Sequence, residues 1–175
     1  MDPRLRRLQG KTELVTGRLS TLQEFYREKL TELLRHEAGA RLIGQYDINN
    51  TYQYIISREE TQLSWVRAAI EAAGGSLEEP LEPDRSGGGS PAPDFHAILE
   101  EDARSAAAFV ERWRSRVGAV NNARHRGMLL VILGEVKEQQ RSFEQALAGR
   151  LDLLGRRGQE VGARIGQVMS TRWIE

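Results

Sequence analysis

The chain has 175 residues, in which 25 basic and 25 acidic side chains cancel and cysteine is absent. This length predicts a single compact domain. The balanced charge produces no overall field that would draw the protein to nucleic acid or to an anionic membrane. Because of this balance, we expect no nucleic-acid partner. The lack of cysteine excludes disulfides, thiolate metal sites and thiol nucleophiles.

The apolar runs of the sequence are short. The longest run, 128–133, is far below the ~20 residues that cross a bilayer. The first residues, Met1–Arg7, are charged and lack the apolar stretch of a signal peptide. These features predict no membrane association and a cytoplasmic location.

The first half of the sequence predicts a helical hairpin. Residues 1–18 are predicted to be an N-terminal arm, because Gly10 and Gly17 lower the helix propensity there. Apolar residues then recur at helical spacing from Leu19 to Tyr46. Turn formers at 47–50 separate this helix from a second one, which ends at a glycine pair. The predicted hairpin covers residues 19–74.

The second half predicts another hairpin after a connector. Four of the five prolines and a glycine triplet fall within 75–93, a composition typical of linkers. The second hairpin is predicted over 94–154, with its turn at 118–122. A C-terminal segment, 155–175, is predicted to contain a short helix with apolar residues on one side. The fold class is therefore all-α: a four-helix bundle of two hairpins joined by a long crossover, in one domain over 19–175.

A short internal repeat links the two halves. Glu60–Ala68 and Glu138–Ala146 share glutamate, glutamine, serine, an aromatic residue and alanine at the same offsets. The matched aromatic residues are Trp65 and Phe143, and both are predicted to lie in the core. The repeat indicates a duplicated hairpin.

On these residues the chain resembles the ferritin-like, or rubrerythrin-like, superfamily. That family is built from two helical hairpins and binds two metal ions through one glutamate from the first helix of each pair and a Glu-x-x-His motif from the second. The resemblance implies four candidate metal ligands, one from each predicted helix: Glu37, Glu60, Glu101 and Glu138.

The motif is degenerate in this chain. Gln62 and Gln140 stand where the family places histidine, and Lys137 adds a positive charge beside the second motif. Amide oxygen is a poor replacement for imidazole. His36, His96 and His125 have no mutual spacing of three or four residues, and are predicted to lie at the surface or at helix caps.

Two hypotheses for the function follow. The first is a non-catalytic ferritin-like bundle without a cofactor, which acts as an interaction or structural module and forms a homodimer or binds another protein. The alternative is an iron- or manganese-binding oxidoreductase or iron-handling protein of the same superfamily, with the four glutamates as ligands. A helical-hairpin binding protein unrelated to ferritins is a third possibility. Trp173, near the C-terminus, indicates that the last segment docks on the bundle or on a partner.

Overall fold

A computed structural model describes residues 3–77, 95–151 and 153–154, and within these ranges it contains four helices and no strand. The helices are α1 (Pro3–Leu42), α2 (Tyr46–Ala72), α3 (His96–Gly118) and α4 (Ala123–Leu147). The predicted all-α class is confirmed, and the packing is compatible with a four-helix bundle. No helix in the described ranges is long and apolar enough to cross a membrane. Most of the predicted connector, 75–93, and all of the predicted C-terminal segment, 155–175, lie outside the described residues.

Helix α1 differs from its prediction at both ends. It begins at Pro3, so that most of the predicted N-terminal arm, residues 1–18, belongs to the same helix as the core residues. It ends at Leu42, and α2 begins at Tyr46, before the predicted turn. Asn49 explains the shift, since its side-chain amide donates hydrogen bonds of 2.7 and 3.3 Å to the carbonyls of Ala40 and Ile43. A side chain of α2 therefore donates the hydrogen bonds that the carbonyls at the end of α1 would otherwise lack.

Glycines terminate the second helix of each hairpin. Gly74 has φ 79°, and the amide of Gly75 bonds to the carbonyl of Ile70. Gly149 has φ 86°, and the amide of Arg150 bonds to the carbonyl of Gln145. Both ends are Schellman motifs, in which glycine supplies the left-handed conformation. The stop at Gly74 was predicted, whereas α4 ends earlier than the predicted 154.

The side-chain contacts give the directions of the helices. Within each hairpin the helices are antiparallel. Between the hairpins α1 runs antiparallel to α3, because Glu24 binds Arg116 near one end and Arg35 binds Asp102 towards the other. Helices α2 and α4 approach each other through Arg58 and Glu135. Consecutive helices α2 and α3 therefore run in the same direction, as a crossover connection requires.

The interior consists of two hydrophobic clusters. The larger one is built around Phe25, Phe109 and Trp113, whose rings meet edge to face with centroids 5.3 and 4.8 Å from Phe25. The smaller one contains Tyr52 and Phe143. Between them lies a buried polar layer, which we define by seven side chains: Lys29, Glu32, His36, Glu59, Gln62, Asp102 and Gln139.

Candidate functional site: the buried polar layer

Glu59 is the centre of the polar layer. Its side chain is fully buried, and Lys29, on the facing helix α1, donates a hydrogen bond of 2.5 Å to Glu59 Oε1. His36, about two turns further along α1, places its Nδ1 2.9 Å from Glu59 Oε2. Burial raises the pKa of Glu59, but the charge of Lys29 and the contact with His36 outweigh it and hold the pKa below the ordinary value. Glu59 is therefore an ionised carboxylate in the interior.

Asp102 is the second buried acid, and it joins the two hairpins. It accepts a hydrogen bond of 2.6 Å from the hydroxyl of Tyr52 and one of 3.0 Å from Nε of Arg35. Arg35 also binds Glu32, which accepts a hydrogen bond from Ser105 on α3. Burial and the neighbouring Asp102 carboxylate raise the pKa of Tyr52. This part of the layer fixes α1 and α2 against α3.

Glu135 supplies the fourth acid, at the edge of the layer. Arg58 donates two hydrogen bonds to it, of 2.5 and 3.1 Å, and Gln62 donates a third of 2.6 Å. Partial burial raises the pKa of Glu135, but these three hydrogen bonds outweigh it and lower the pKa overall. Each helix therefore contributes one acid near the layer: Glu32 from α1, Glu59 from α2, Asp102 from α3 and Glu135 from α4. Each of these acids has a cationic or hydrogen-bonding partner.

Three polar atoms in the layer have no hydrogen-bond partner within the described part of the chain. They are Nε2 of His36, Oε1 of Gln62 and Oε1 of Gln139. The ring of His36 packs against those of Tyr52 and Phe143, at centroid distances of 5.9 and 5.5 Å. Buried polar groups of this kind are usually satisfied.

The predicted metal ligands lie elsewhere. Glu60, Glu101 and Glu138 are exposed, and Glu37 is half-buried. Glu37 and Glu60 line a shallow groove between α1 and α2, whereas Glu138 lines a different groove, between α2 and α4. Among residues 3–77, 95–151 and 153–154, no group of three or more histidine, cysteine, aspartate or glutamate side chains is placed to hold a metal ion. The four candidates do not form the shared ligand set that a two-metal centre requires.

On α2 and α3 the sequence predicted the neighbour of the buried acid instead of the buried acid itself. On α2 the buried glutamate is Glu59, next to the predicted Glu60, and on α3 the buried acid is Asp102, next to the predicted Glu101. Glu59 and Gln62, both buried, are three residues apart, and this spacing was a signal that they share one face of the helix.

The internal repeat is one residue out of phase with the burial pattern. The buried positions of α2 and α4 match when Gln62 is paired with Gln139 and Val66 with Phe143. Trp65, paired with Phe143 by the repeat, is 37% exposed, so its predicted core position is wrong, while Phe143 is buried. His36 is also buried, contrary to its predicted surface position.

A larger groove runs between α2 and α4 and has a volume of about 750 Å³. We call it the α2–α4 groove and define it by its lining residues: Thr51, Tyr54, Ile55, Arg58, Glu135, Glu138, Gln139, Ser142, Leu153 and Leu154.

Comparisons with protein-family models, with curated proteins and with solved structures found no match for this chain.

Proposed function

We propose that this protein is a non-catalytic helical bundle of ferritin-like architecture that acts as a self-associating interaction or structural module. The observation that carries the proposal is the position of Lys29. Its ammonium is 1% exposed and bound to Glu59 in the middle of the interior. A cation that is part of the chain thus neutralises the carboxylate that a ferritin-like bundle would offer to a metal ion.

The charges of the polar layer support this proposal. A divalent cation near Glu59 would be repelled by the ammonium of Lys29, and the repulsion is strong at short range in a poorly solvated interior. Asp102 and Glu135 are likewise bound to Arg35 and Arg58. The donor set therefore does not fit a dinuclear iron or manganese centre, and we derive no metal-dependent step for this chain.

The ferritin-like architecture rests on the helix directions and on the acids. The parallel directions of α2 and α3 match a bundle of two hairpins joined by a crossover, and each of the four helices contributes one acid near the polar layer. Gln62, three residues after Glu59, stands where that family has histidine. Such a bundle, with its metal ligands replaced by ion pairs, retains the scaffold and loses the redox chemistry.

The self-association part of the proposal rests on the outer face of α4. Leu130 is 50% exposed. Gly127 and Gly134 lie on the same side of the helix, at spacings of three and four residues from Leu130. Apart from the adjacent residues and backbone of α4 itself, no atom of the described residues lies within 4 Å of where their Cβ would be. A second copy of the chain can therefore approach this helix closely and bury Leu130.

Metal retention tests the non-catalytic part of the proposal. The purified protein, incubated with Fe²⁺ or Mn²⁺ and desalted, is expected to retain less than one ion per chain by elemental analysis and to show no ferroxidase activity. Two tightly held ions per chain that are lost with Glu60→Ala or Glu138→Ala would instead establish the iron- or manganese-binding alternative. Loss of the ions with Glu59→Gln would establish an interior metal site.

Sedimentation equilibrium tests the self-association. The wild-type chain is expected to sediment as a dimer, and Leu130→Asp is expected to shift it towards the monomer. Ala108→Asp serves as a control, because Ala108 is exposed on α3 and lies outside this face of α4. A wild-type chain that remains monomeric at high concentration would rule out a homodimer formed through this face.

A further inference from the structure

The α2–α4 groove is an incompletely filled part of the molecule. Its lining carries the acids Glu135 and Glu138 and one arginine, Arg58, which is bound to Glu135, so the lining has one excess negative charge. Its floor includes Ile55 and Gln139. Gln139 is 7% exposed, and its Oε1 accepts no hydrogen bond within the described residues. An occupant that combines apolar side chains with positive charge would therefore complement the groove.

The chain itself turns into this groove. Helix α4 ends at Leu147, and the left-handed Gly149 then reverses the direction of the backbone. Leu153 packs against the smaller hydrophobic cluster, and both Leu153 and Leu154 line the groove. The last described residues of the chain therefore lie in the groove.

The groove face extends along α4 beyond its lining residues. Val131 lies four residues before Glu135 and seven before Glu138, so the three side chains share one face of the helix. Val131 is 53% exposed. From Ser142 back to Val131 this face is about 16 Å long at 1.5 Å per residue, which is enough for a helix of about three turns.

Residues 155–175 lie outside the described part of the chain, but their sequence matches this face in two respects. They contain four arginines and two glutamates, which complements the acidic groove wall. Their apolar residues Val161, Ile165 and Val168 recur at the spacing of one helix face. Their predicted helix is long enough to cover the face from Ser142 to Val131.

We propose that residues 155–175 bind in the α2–α4 groove of the same chain as a basic amphipathic helix. The apolar side of this segment covers Ile55 and Val131, and its arginines face Glu138. This inference goes beyond the proposed function and does not depend on whether the interior binds metal.

Paramagnetic labelling of the full chain tests the proposal. The chain has no cysteine, so Ser170→Cys provides a single attachment site for a nitroxide spin label. The label is expected to weaken the amide NMR signals along the groove face of α4, between Val131 and Ser142, several-fold. The signals of Arg104 and Glu111, which are exposed on α3, are expected to keep their intensity.

Two variants separate docking from general effects. Val131→Asp, in the labelled chain, is expected to restore the signals of Glu138 and Ser142, whereas Leu130→Asp, at a neighbouring and equally exposed position, is expected to leave them weakened. Both side chains are about half exposed, so neither change disturbs the core. Restoration by both variants or by neither would contradict a docking site on this face.

Mixing identifies the occupant. When labelled chain at natural isotope abundance is mixed with unlabelled ¹⁵N chain, both carrying Leu130→Asp so that they are monomers, the groove signals of the ¹⁵N chain are expected to keep their intensity. Weakening in the mixed sample would show that the segment binds a second copy and would overturn docking within one chain. Absence of weakening in the singly labelled chain would overturn the proposal altogether.

Discussion

The ammonium of Lys29 and the carboxylate of Glu59 lie 2.5 Å apart, and almost no surface of either side chain is exposed. Lys29 also lies 5.9 Å from the centroid of the Phe109 ring. A buried ion pair contributes little net stability compared with apolar residues of the same size, but removal of one partner leaves the other charged and without its partner. The pair therefore fixes the relative register of α1 and α2.

Lys29→Met is expected to lower the free energy of unfolding by about 3–5 kcal/mol, because it leaves Glu59 in the interior without its ammonium partner. Arg141→Met is the matched control, since Arg141 binds Glu138 on the surface, and such pairs contribute about 1 kcal/mol or less. Urea denaturation measures both. Equal costs for the two variants would show that Lys29 is solvated. The double variant Lys29→Met with Glu59→Gln is expected to recover part of the loss.

The lowered pKa of Glu59 predicts a loss of stability in acid. A carboxylate with a lower pKa in the folded state stabilises the fold fully above its ordinary pKa, here 4.5, and loses this contribution as the pH falls towards the folded-state pKa. Denaturation at a series of pH values below 5 is expected to show a smaller decrease for Glu59→Gln than for the wild type. Glu60→Gln, at the neighbouring exposed position, is expected to follow the wild-type curve. Parallel curves for all three proteins would contradict an ionised Glu59.

The raised pKa of Tyr52 predicts the opposite dependence in alkali. A tyrosine with a higher pKa in the folded state stabilises the fold fully below its ordinary pKa, here 10.0, and loses this contribution as the pH rises above it. Tyr52→Phe is therefore expected to reduce the decrease in stability above pH 10. Tyr54→Phe, which changes a 55% exposed residue, is the control and is expected to leave the decrease intact. If Tyr54→Phe reduced the decrease and Tyr52→Phe did not, Tyr52 would be in contact with solvent.

Two tryptophans provide a matched test of the core. Trp113 is fully buried and donates a hydrogen bond of 2.9 Å from Nε1 to Glu28, so Trp113→Ala is expected to cost about 3–5 kcal/mol. Trp65 is 37% exposed and contacts Arg58, so Trp65→Ala is expected to cost about 1 kcal/mol or less. Thermal and urea denaturation measure both. A cost for Trp65→Ala as large as that for Trp113→Ala would place Trp65 in the core after all.

Much of the fold follows from local sequence signals. Apolar spacing predicted the helices, Gly74 marked the end of α2, and the turn near 118–122 was predicted between two apolar segments. In the structure the side chain of Asn122 caps α4 at this turn. The end of α1 was missed, since the amide of Asn49 acts there through a contact between helices that no local pattern shows.

The interior acids were missed for a different physical reason. Adjacent acids on a helix, such as Glu59 and Glu60, differ by about 100° in direction, and their burial depends on partners that are distant in sequence. Glu59 is the buried one because Lys29 and His36 face it from α1. The sequence alone shows the acids but does not show which of them have a cation opposite.

The parallel directions of α2 and α3 have a consequence for the order of folding. Each hairpin closes over a short turn, whereas the contacts of Asp102 and of Arg116 with the first hairpin join residues from 50 to 92 positions apart. Local hairpins form faster than contacts of this range, so we expect two early hairpins and a slower docking step. The entropic cost of closing the connection grows only with the logarithm of its length, so that each doubling of the length adds about 0.6 kcal/mol. Insertions between the hairpins should therefore slow assembly slightly and leave the folded core unchanged.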